Sequence, residues 1–508
     1  MNLLLLLAAL AWPYELVALD SKSPLVQVKL LFKAGSMHGK PGAAFLTGQL
    51  LMEGGFGDPK APVTKERLAE LTRPWGGRAY PGVWVSKEAL VVSAEVPRDA
   101  FDKYVDTILQ PMLTRPLFDP RELERLRGEA LQALTSGLRL ERIEDLGLNA
   151  LEAALYANGA PDLGTEAGLK SVTRDDAAAF HAKLLTKDNV IAGVSTTDAA
   201  VEKKLRGLLE SLPAGTPETV AASTAPAEAA RLVIVSLPNA ISSGLHAGHP
   251  IEVNRAHPDY WALYVGNIAF GTHRDGFGRL YQRLREERGY NYGDYSYIEH
   301  FEGRPYHLFP PTNTPRLSQA FSIWVRPVGH AYVPHVLKAI TWELDNLVRR
   351  GLTERECAEA RNKAKVLYLS LAETTERLLA SRLDDRFYGL KDGWLPSYLT
   401  RVENVSCDEV NAALRRHLKP SELRYVVVTA SSEASKIADA VASDEPAWGK
   451  EPAEYQIDVK DGVYSVPQEK LDLLRRDAVW AHHPLGLNGR DIRVVPVERL
   501  FVEPGLPR

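Results

Sequence analysis

The chain is written twice. Val172-Thr-Arg-Asp175, followed by Phe180 and the apolar run Val190–Val194, returns as Val405-Ser-Cys-Asp408, followed by Leu414 and Leu423–Val428, at an offset of 233 residues. Asp119-Pro-Arg-Glu122 returns as Thr353-Glu-Arg-Glu356 at an offset of 234, and Leu90–Val96 as Phe321–Arg326 at about 230. One nearly constant offset means a duplicated folding unit. Each copy reads as strand, helix, strand pair, helices, strand and helix. Val26-Gln-Val28-Lys-Leu30-Leu-Phe32 alternates as a half-buried strand does, whereas Phe101–Leu113 has helical spacing. Strands and helices in mixed order predict an α+β fold. It has two homologous halves, each a mostly antiparallel sheet with helices packed on one face.

The 508 residues divide accordingly. Residues 213–230 (PAGTPETVAASTAPAEAA) lack periodic apolar positions and mark a linker. They separate an N-terminal half over 12–212 from a C-terminal half over 231–435, and the extension 436–508 has no counterpart in the first half. Leu3–Ala11 is apolar but far shorter than the roughly 20 residues of a membrane span, and it ends in Ala9-Leu10-Ala11. Residues 1–11 therefore read as a signal peptide, which places the protein in the periplasm or outside the cell, with a cytoplasmic location still open.

Lys+Arg 61 against Asp+Glu 65 leaves a net charge of −4, so no global field favours nucleic acid or an anionic membrane. Two cysteines, Cys357 and Cys407, supply neither a disulfide scaffold nor a four-cysteine zinc site, and whether they pair is open. Gly39-Lys40 runs into Pro41 and Gly449-Lys450 into Glu451, so neither forms a phosphate loop, and no G-x-S-x-G elbow occurs. Of the thirteen histidines, His246/His249 and His482/His483 are spaced like ligand pairs. Neither pair sits on a helix that would aim both rings at one ion, and both are expected to be ordinary core or surface residues. Asn404-Val405-Ser406 is a glycosylation tripeptide of the kind that arises by chance.

The stretch Lys33-Ala-Gly-Ser36 … Phe45-Leu-Thr-Gly48-Gln49-Leu-Leu-Met-Glu53-Gly54-Gly55 resembles the opening of the insulinase-like zinc peptidases, the inverzincins, which include pitrilysin and the mitochondrial processing peptidase. In that family a helix carries H-x-x-E-H: two histidines one turn apart face the zinc, and the glutamate takes a proton from the zinc-bound water. Here the histidine positions hold Phe45 and Gln49, the base position holds Gly48, and the third-ligand position on a later helix holds Leu126. The resemblance therefore implies a degenerate metal site and no cofactor in this chain.

The second half resembles the family's C-terminal signature through Gly278-Arg279-Leu280-Tyr281 … Arg285-Glu-Glu-Arg-Gly289-Tyr-Asn-Tyr292. There the resemblance implies substrate-binding roles for Arg285 and Tyr292, seven residues apart: an arginine fork for a peptide carbonyl or carboxylate, and a tyrosine hydroxyl for the scissile carbonyl. Gly76-Gly77 … Ala79 resembles a further family turn, with Arg78 as a departure. The family further implies a closed chamber formed with a homologous partner that bears H-x-x-E-H and its zinc. The function expected is thus a non-catalytic, peptide-binding subunit of a heteromeric zinc peptidase. The alternative is a stand-alone pseudo-peptidase with a structural or peptide-binding role.

Overall fold

The computed structural model describes residues 14–141, 143–227, 229–301, 311–450, 459–460, 463–464 and 468–507, so the signal-peptide reading of residues 1–11 falls outside the described residues. The first half carries β1 (Glu15–Ala18), β2 (Leu25–Phe32), the hairpin β3 (Phe56–Asp58) and β4 (Ala61–Val63), β5 (Gly82–Val85), β6 (Leu90–Pro97) and β7 (Val190–Val194). The second carries β8 (Leu232–Leu237), β9 (Ser243–Ile251), β10 (Gly293–Tyr297), β11 (Gln319–Val328) and β12 (Arg424–Ala430). A short ladder, β13 (Val459–Lys460) with β14 (Val463–Tyr464), and the strand β15 (Ile492–Pro496) follow.

The duplication reappears in the pairing. The first sheet runs β1-β7-β2-β6-β5 and the second β8-β12-β9-β11-β10, with β15 added beyond β8. In each, the outer pair (β1 with β7, β8 with β12) is parallel and the next three pairs are antiparallel.

Helices repeat in the same way. The first half has α1 (Ala43–Glu53), α2 (Lys65–Thr72), α3 (Phe101–Tyr104), α4 (Gln110–Thr114), α5 (Pro120–Gln132), α6 (Ile143–Leu155), α7 (Glu166–Ser171), α8 (Arg174–Leu184) and α9 (Ala199–Ser211). The second has α10 (Tyr260–Gly271), α11 (Val333–Arg350), α12 (Glu354–Leu371), α13 (Thr375–Tyr388), α14 (Trp394–Asn404), α15 (Cys407–His417) and α16 (Ser431–Ala442). The repeated sequence signals are caps. Thr173 closes a capping box with Asp176 at the start of α8, and Ser406 does so with Glu409 at α15. Asp119 and Thr353 cap α5 and α12. Each cap satisfies helix N–H groups that otherwise lack partners.

Sequence led us to expect helices on one face of each sheet, and the half's own helices do pack there. The other face is covered too, by one helix from the opposite half: α6 lies on β12 and β9, and α13 on β7, β1 and β2. The strand sequences explain why. Leu232–Val235 and Tyr425–Val428 are continuous apolar runs, the pattern of strands buried on both faces. Leu232, Ile234, Tyr425 and Val427 enter the core of the second half, while Val233, Val235, Val426 and Val428 enter the core of the first. Reciprocally, Leu31, Val91 and Ile191 pack with Leu379 and Leu383 of α13.

The extension after Ser435 is built into this frame. The helix α17 (Gln468–Ala481) packs on α11, held by Arg288 Nε donating to Asp477 at 2.6 Å and by the Arg288 guanidinium 4.2 Å over the Trp480 ring. The strand β15 then pairs in parallel with β8. Beyond it the chain crosses to the first half, where Leu500 O accepts from Arg139 Nε (2.9 Å) and Phe501 O from Glu166 N (2.8 Å). Among the described residues no helix is long and apolar enough to cross a membrane.

Candidate functional site

The helix α1 carries three of the four degenerate positions. Phe45 and Gln49 are half-buried on one face, and Phe45 packs against the first-half core. Gly48 is buried against β5: a Cβ there would lie 3.1 Å from Val83 Cγ1 and 3.5 Å from Val85 Cγ2. A side chain at this position would leave the helix against the valine methyl groups, and Val83 would have to give by a few tenths of an ångström. Leu126, on α5, is a core residue. The carboxylates nearby are engaged by cations. Arg125 Nε donates to Glu122 at 2.8 Å and its Nη1 to Glu129 at 2.6 Å, and Arg125 also bonds Glu53, which accepts from Lys65 Nζ at 2.7 Å. Glu122 and Glu129, one turn either side of Leu126, thus form an ionic cluster on the helix surface.

The other sequence-selected pair meets in space. Arg285 lies on a π-helical turn, Tyr281–Glu286, a distortion often retained at functional positions. Its Nη1 donates to the main-chain oxygen of Tyr292 at 3.0 Å. The guanidinium stacks between two rings, 4.3 Å from the Tyr292 centroid and 4.7 Å from that of Tyr281. Tyr292 is 65% exposed, just before β10 at the edge of the second sheet. Such a stack fixes the plane of the arginine fork while leaving the Tyr292 side chain open to solvent.

Two supports under this pair were not picked out from the sequence. Asn291 Nδ2 donates to Gly293 O at 2.8 Å and to Asp294 Oδ1 at 2.5 Å, bracing the turn from which Tyr292 projects. Asp294 is fully buried, and burial lifts its carboxyl well above the usual carboxylate range, against the Asn291 bond and the Arg285 charge. Tyr281 is the second support, its hydroxyl pKa raised by a hydrogen bond to Glu286. The resemblance to the family signature points to Arg285 and Tyr292; nothing in that signature marks a buried aspartate two residues further on.

Neither histidine pair lies on a helix. His246 and His249 lie on β9, both wholly buried, and His482/His483 follow the end of α17. His246 nests against Gly147 of α6, and burial, with the Arg326 charge, lowers its pKa to about 3. A different trio can bring three donor atoms to one point: His257, Asp259 and His417. Those donors already serve one another. His417 Nε2 lies 2.6 Å from the Asp259 carboxylate, which also pairs with Arg416, and His257 Nδ1 accepts from the Asp259 main-chain N–H at 3.1 Å. Cys357 and Cys407, left open by sequence, form a buried disulfide joining the starts of α12 and α15.

Residues 171–364 match the family model described as peptidase M16 inactive domain. An uncharacterised zinc protease of Mycobacterium tuberculosis is 29% identical over 159 residues, 31% of this chain and 32% of the relative. Another from Streptomyces coelicolor is 28% identical over 300 residues, 56% of this chain and 60% of the relative. The chain thus spans between about a third and three fifths of the length of these curated relatives. The fold is similar to the crystal structure of a peptidase M16 inactive domain from Pseudomonas fluorescens, with a TM-score of 0.68 at 20% identity, covering 82% of this chain and 94% of that one. A protease from Helicobacter pylori gives 0.66 at 15% identity, covering 82% and 97%.

Proposed function

We propose that this chain, whose residues 171–364 match a peptidase M16 inactive domain, is an insulinase-like protein acting as the non-catalytic, substrate-binding subunit of a heteromeric zinc peptidase. The observation that carries the reading is a contrast. Where the family places zinc and base, this chain has Phe45, Gly48, Gln49 and Leu126, with Gly48 backed by Val83. Where the family places its substrate-binding pair, Arg285 and Tyr292 are present and stacked on each other. In such an assembly the partner's H-x-x-E-H helix would hold the zinc, which would supply the activated water. Arg285 and Tyr292 contribute a preorganised donor fork and a hydroxyl that hold the peptide and its carbonyl in place.

The reading places the protein in the periplasm or outside the cell. A buried disulfide is at home in an oxidising compartment, which supports this part of the reading. Co-expression with a homologous chain bearing H-x-x-E-H tests the proposal. The mixture is expected to cleave an unstructured peptide that this chain alone leaves intact, and Arg285→Ala is expected to lower cleavage while the pair still co-elutes. Equal cleavage by the partner alone and by the mixture contradicts it. The second reading, a stand-alone pseudo-peptidase with a structural or peptide-binding role, draws on the Arg285 N–H that is satisfied by its own chain at Tyr292 O without any peptide. Peptide binding with no recoverable partner would select it.

A further inference from the structure

The turn between Arg285 and Tyr292 is held by the C-terminal extension, the part of the chain with no counterpart in the first half. Arg288 and Tyr290, both within that turn, are each 3% exposed and both bond to the extension. The Arg288 fork works in two directions. Its Nε donates to Asp477 Oδ1 at 2.6 Å and its Nη2 to Leu473 O at 3.4 Å, both on α17. Its Nη1 donates back to Arg283 O at 2.6 Å, on the π-helical turn that carries Arg285. Glu287, next to it, accepts from Arg288 Nη1 at 2.7 Å and from Arg476 Nη1 of α17 at 2.9 Å. On the other side of Gly289, the Tyr290 hydroxyl accepts from the Lys450 main-chain N–H at 3.2 Å. The helix α11 fixes the extension's path at this point. His335 Nδ1 donates to Ala447 O at 2.8 Å, and the same ring lies 5.3 Å from that of Tyr290 and 5.8 Å from that of Trp480.

Gly289 connects these contacts to the pair. With φ +61° it reverses the chain, its N–H closing on Arg285 O at 2.6 Å and that of Tyr290 on Leu284 O at 3.1 Å. Arg285 is thus bonded to a turn whose flanking side chains are gripped by the extension. Apolar contacts alone could dock α17 on α11; instead α17 supplies the counter-charge of a guanidinium whose side chain is wholly buried. A buried charge deprived of its partner is strongly unfavourable, so the turn and α17 are tied together. We propose that the extension braces the peptide-holding pair, with Arg288 and Tyr290 as positioning residues that set Arg285 against Tyr292. The proposal rests on the reading of that pair given above and gives residues 436–508 a part in it: the site is only as precise as the shell that supports it.

The test labels the full chain with 3-fluorotyrosine and follows the 19F signal of Tyr292, assigned by its loss in Tyr292→Phe. Arg285→Ala shows how far the signal moves when the stack is lost. Asp477→Asn is expected to move it in the same direction, and Asp477→Glu to restore most of the parent position. Tyr290→Phe, which removes one hydroxyl, is expected to move it less than Asp477→Asn. Arg139→Met loosens the extension at its other anchor, the bond to Leu500 O, and is expected to lower the melting temperature with Tyr292 unmoved. An unstructured peptide is expected to bind several-fold more weakly to Asp477→Asn and to recover in Asp477→Glu. A Tyr292 signal unmoved in both Asp477→Asn and Tyr290→Phe overturns the proposal without any peptide, and so does an equal movement in Arg139→Met. Peptide affinity lowered by Arg285→Ala but untouched by Asp477→Asn also overturns it, and leaves the peptide-holding reading standing. Affinity untouched by Arg285→Ala, with the Tyr292 signal still moved by Asp477→Asn, overturns that reading and leaves the brace standing.

Discussion

Arg316 of the second half forks onto Glu152 of α6 in the first, Nη1 to Oε2 at 3.1 Å and Nη2 to Oε1 at 2.7 Å, and both side chains are buried. A bidentate pair of this kind is sensitive to the removal of one member, because the survivor is left charged and dry. Glu152→Gln is expected to destabilise the fold by about 3 kcal/mol or more. The double replacement Glu152→Leu/Arg316→Met should recover most of that loss. Denaturant midpoints of the three proteins check the order; a single variant as stable as the parent would refute it.

The same pair sets an acid limit. Burial raises the Glu152 pKa, but the charges of Arg316 and Lys87 outweigh it and hold the carboxyl at about 2. A depressed carboxylate contributes stability above its unfolded value, near 4.5, and loses it as pH falls toward 2. Asp384 has the opposite sign: burial lifts it to about 6, against the Arg255 charge and the Asn313 bonds, so its contribution declines as pH rises from about 4 to 6. Each limb is worth on the order of 3 kcal/mol. Stability measured from pH 3 to 7 should lose its acid limb in Glu152→Gln and its decline between pH 4 and 6 in Asp384→Asn.

Gly147 allows α6 to lie directly on β9. A Cβ at that position would sit 2.1 Å from His246 Cε1 and 2.3 Å from Nδ1. Gly147→Ala should therefore cost about 1–3 kcal/mol by overpacking, despite the better helix propensity of alanine. His246→Ala should suppress much of that cost, so the double variant departs from additivity.

The disulfide joins residues 50 apart. Chain entropy alone assigns such a loop about 4 kcal/mol, and measured values are commonly 2–4. Cys357→Ala/Cys407→Ala should lower the unfolding free energy by that order, and reduction of the parent should produce a similar fall. No difference between reduced and oxidised protein would contradict the pairing.

Truncation after Asn488 removes β15 together with the buried Val497, Leu500 and Phe501. It uncovers the β8 edge and the joint to Arg139 and Glu166. The shortened chain is expected to aggregate or to melt at lower temperature, since an uncovered apolar edge strand recruits other chains.

The duplication was legible because it is written in caps and strand runs: Thr173 with Ser406, Asp119 with Thr353, Val190–Val194 with Leu423–Val428. The exchange of α6 and α13 between halves was not, since helical periodicity reports an apolar face but not which sheet will cover it. Continuous runs such as Leu232–Val235 do signal burial on both faces, without naming the second partner. The role of the extension was hidden for a related reason, because β15 resembles nothing in the repeat. At the site, Arg285 and Tyr292 were singled out only by the resemblance of Gly278–Tyr292 to a family signature, since an arginine and a tyrosine seven apart carry no such meaning by themselves. Asp294 and the Tyr281 stack depend on a π-helical turn and a buried edge strand that no short motif encodes.

Zinc content tests the central claim most directly. The isolated, oxidised chain, equilibrated with excess zinc and passed through a desalting column, is predicted to retain far less than one zinc per molecule by elemental analysis and to leave peptides uncut. One tightly held zinc per chain, accompanied by peptide cleavage without any partner, would contradict the account.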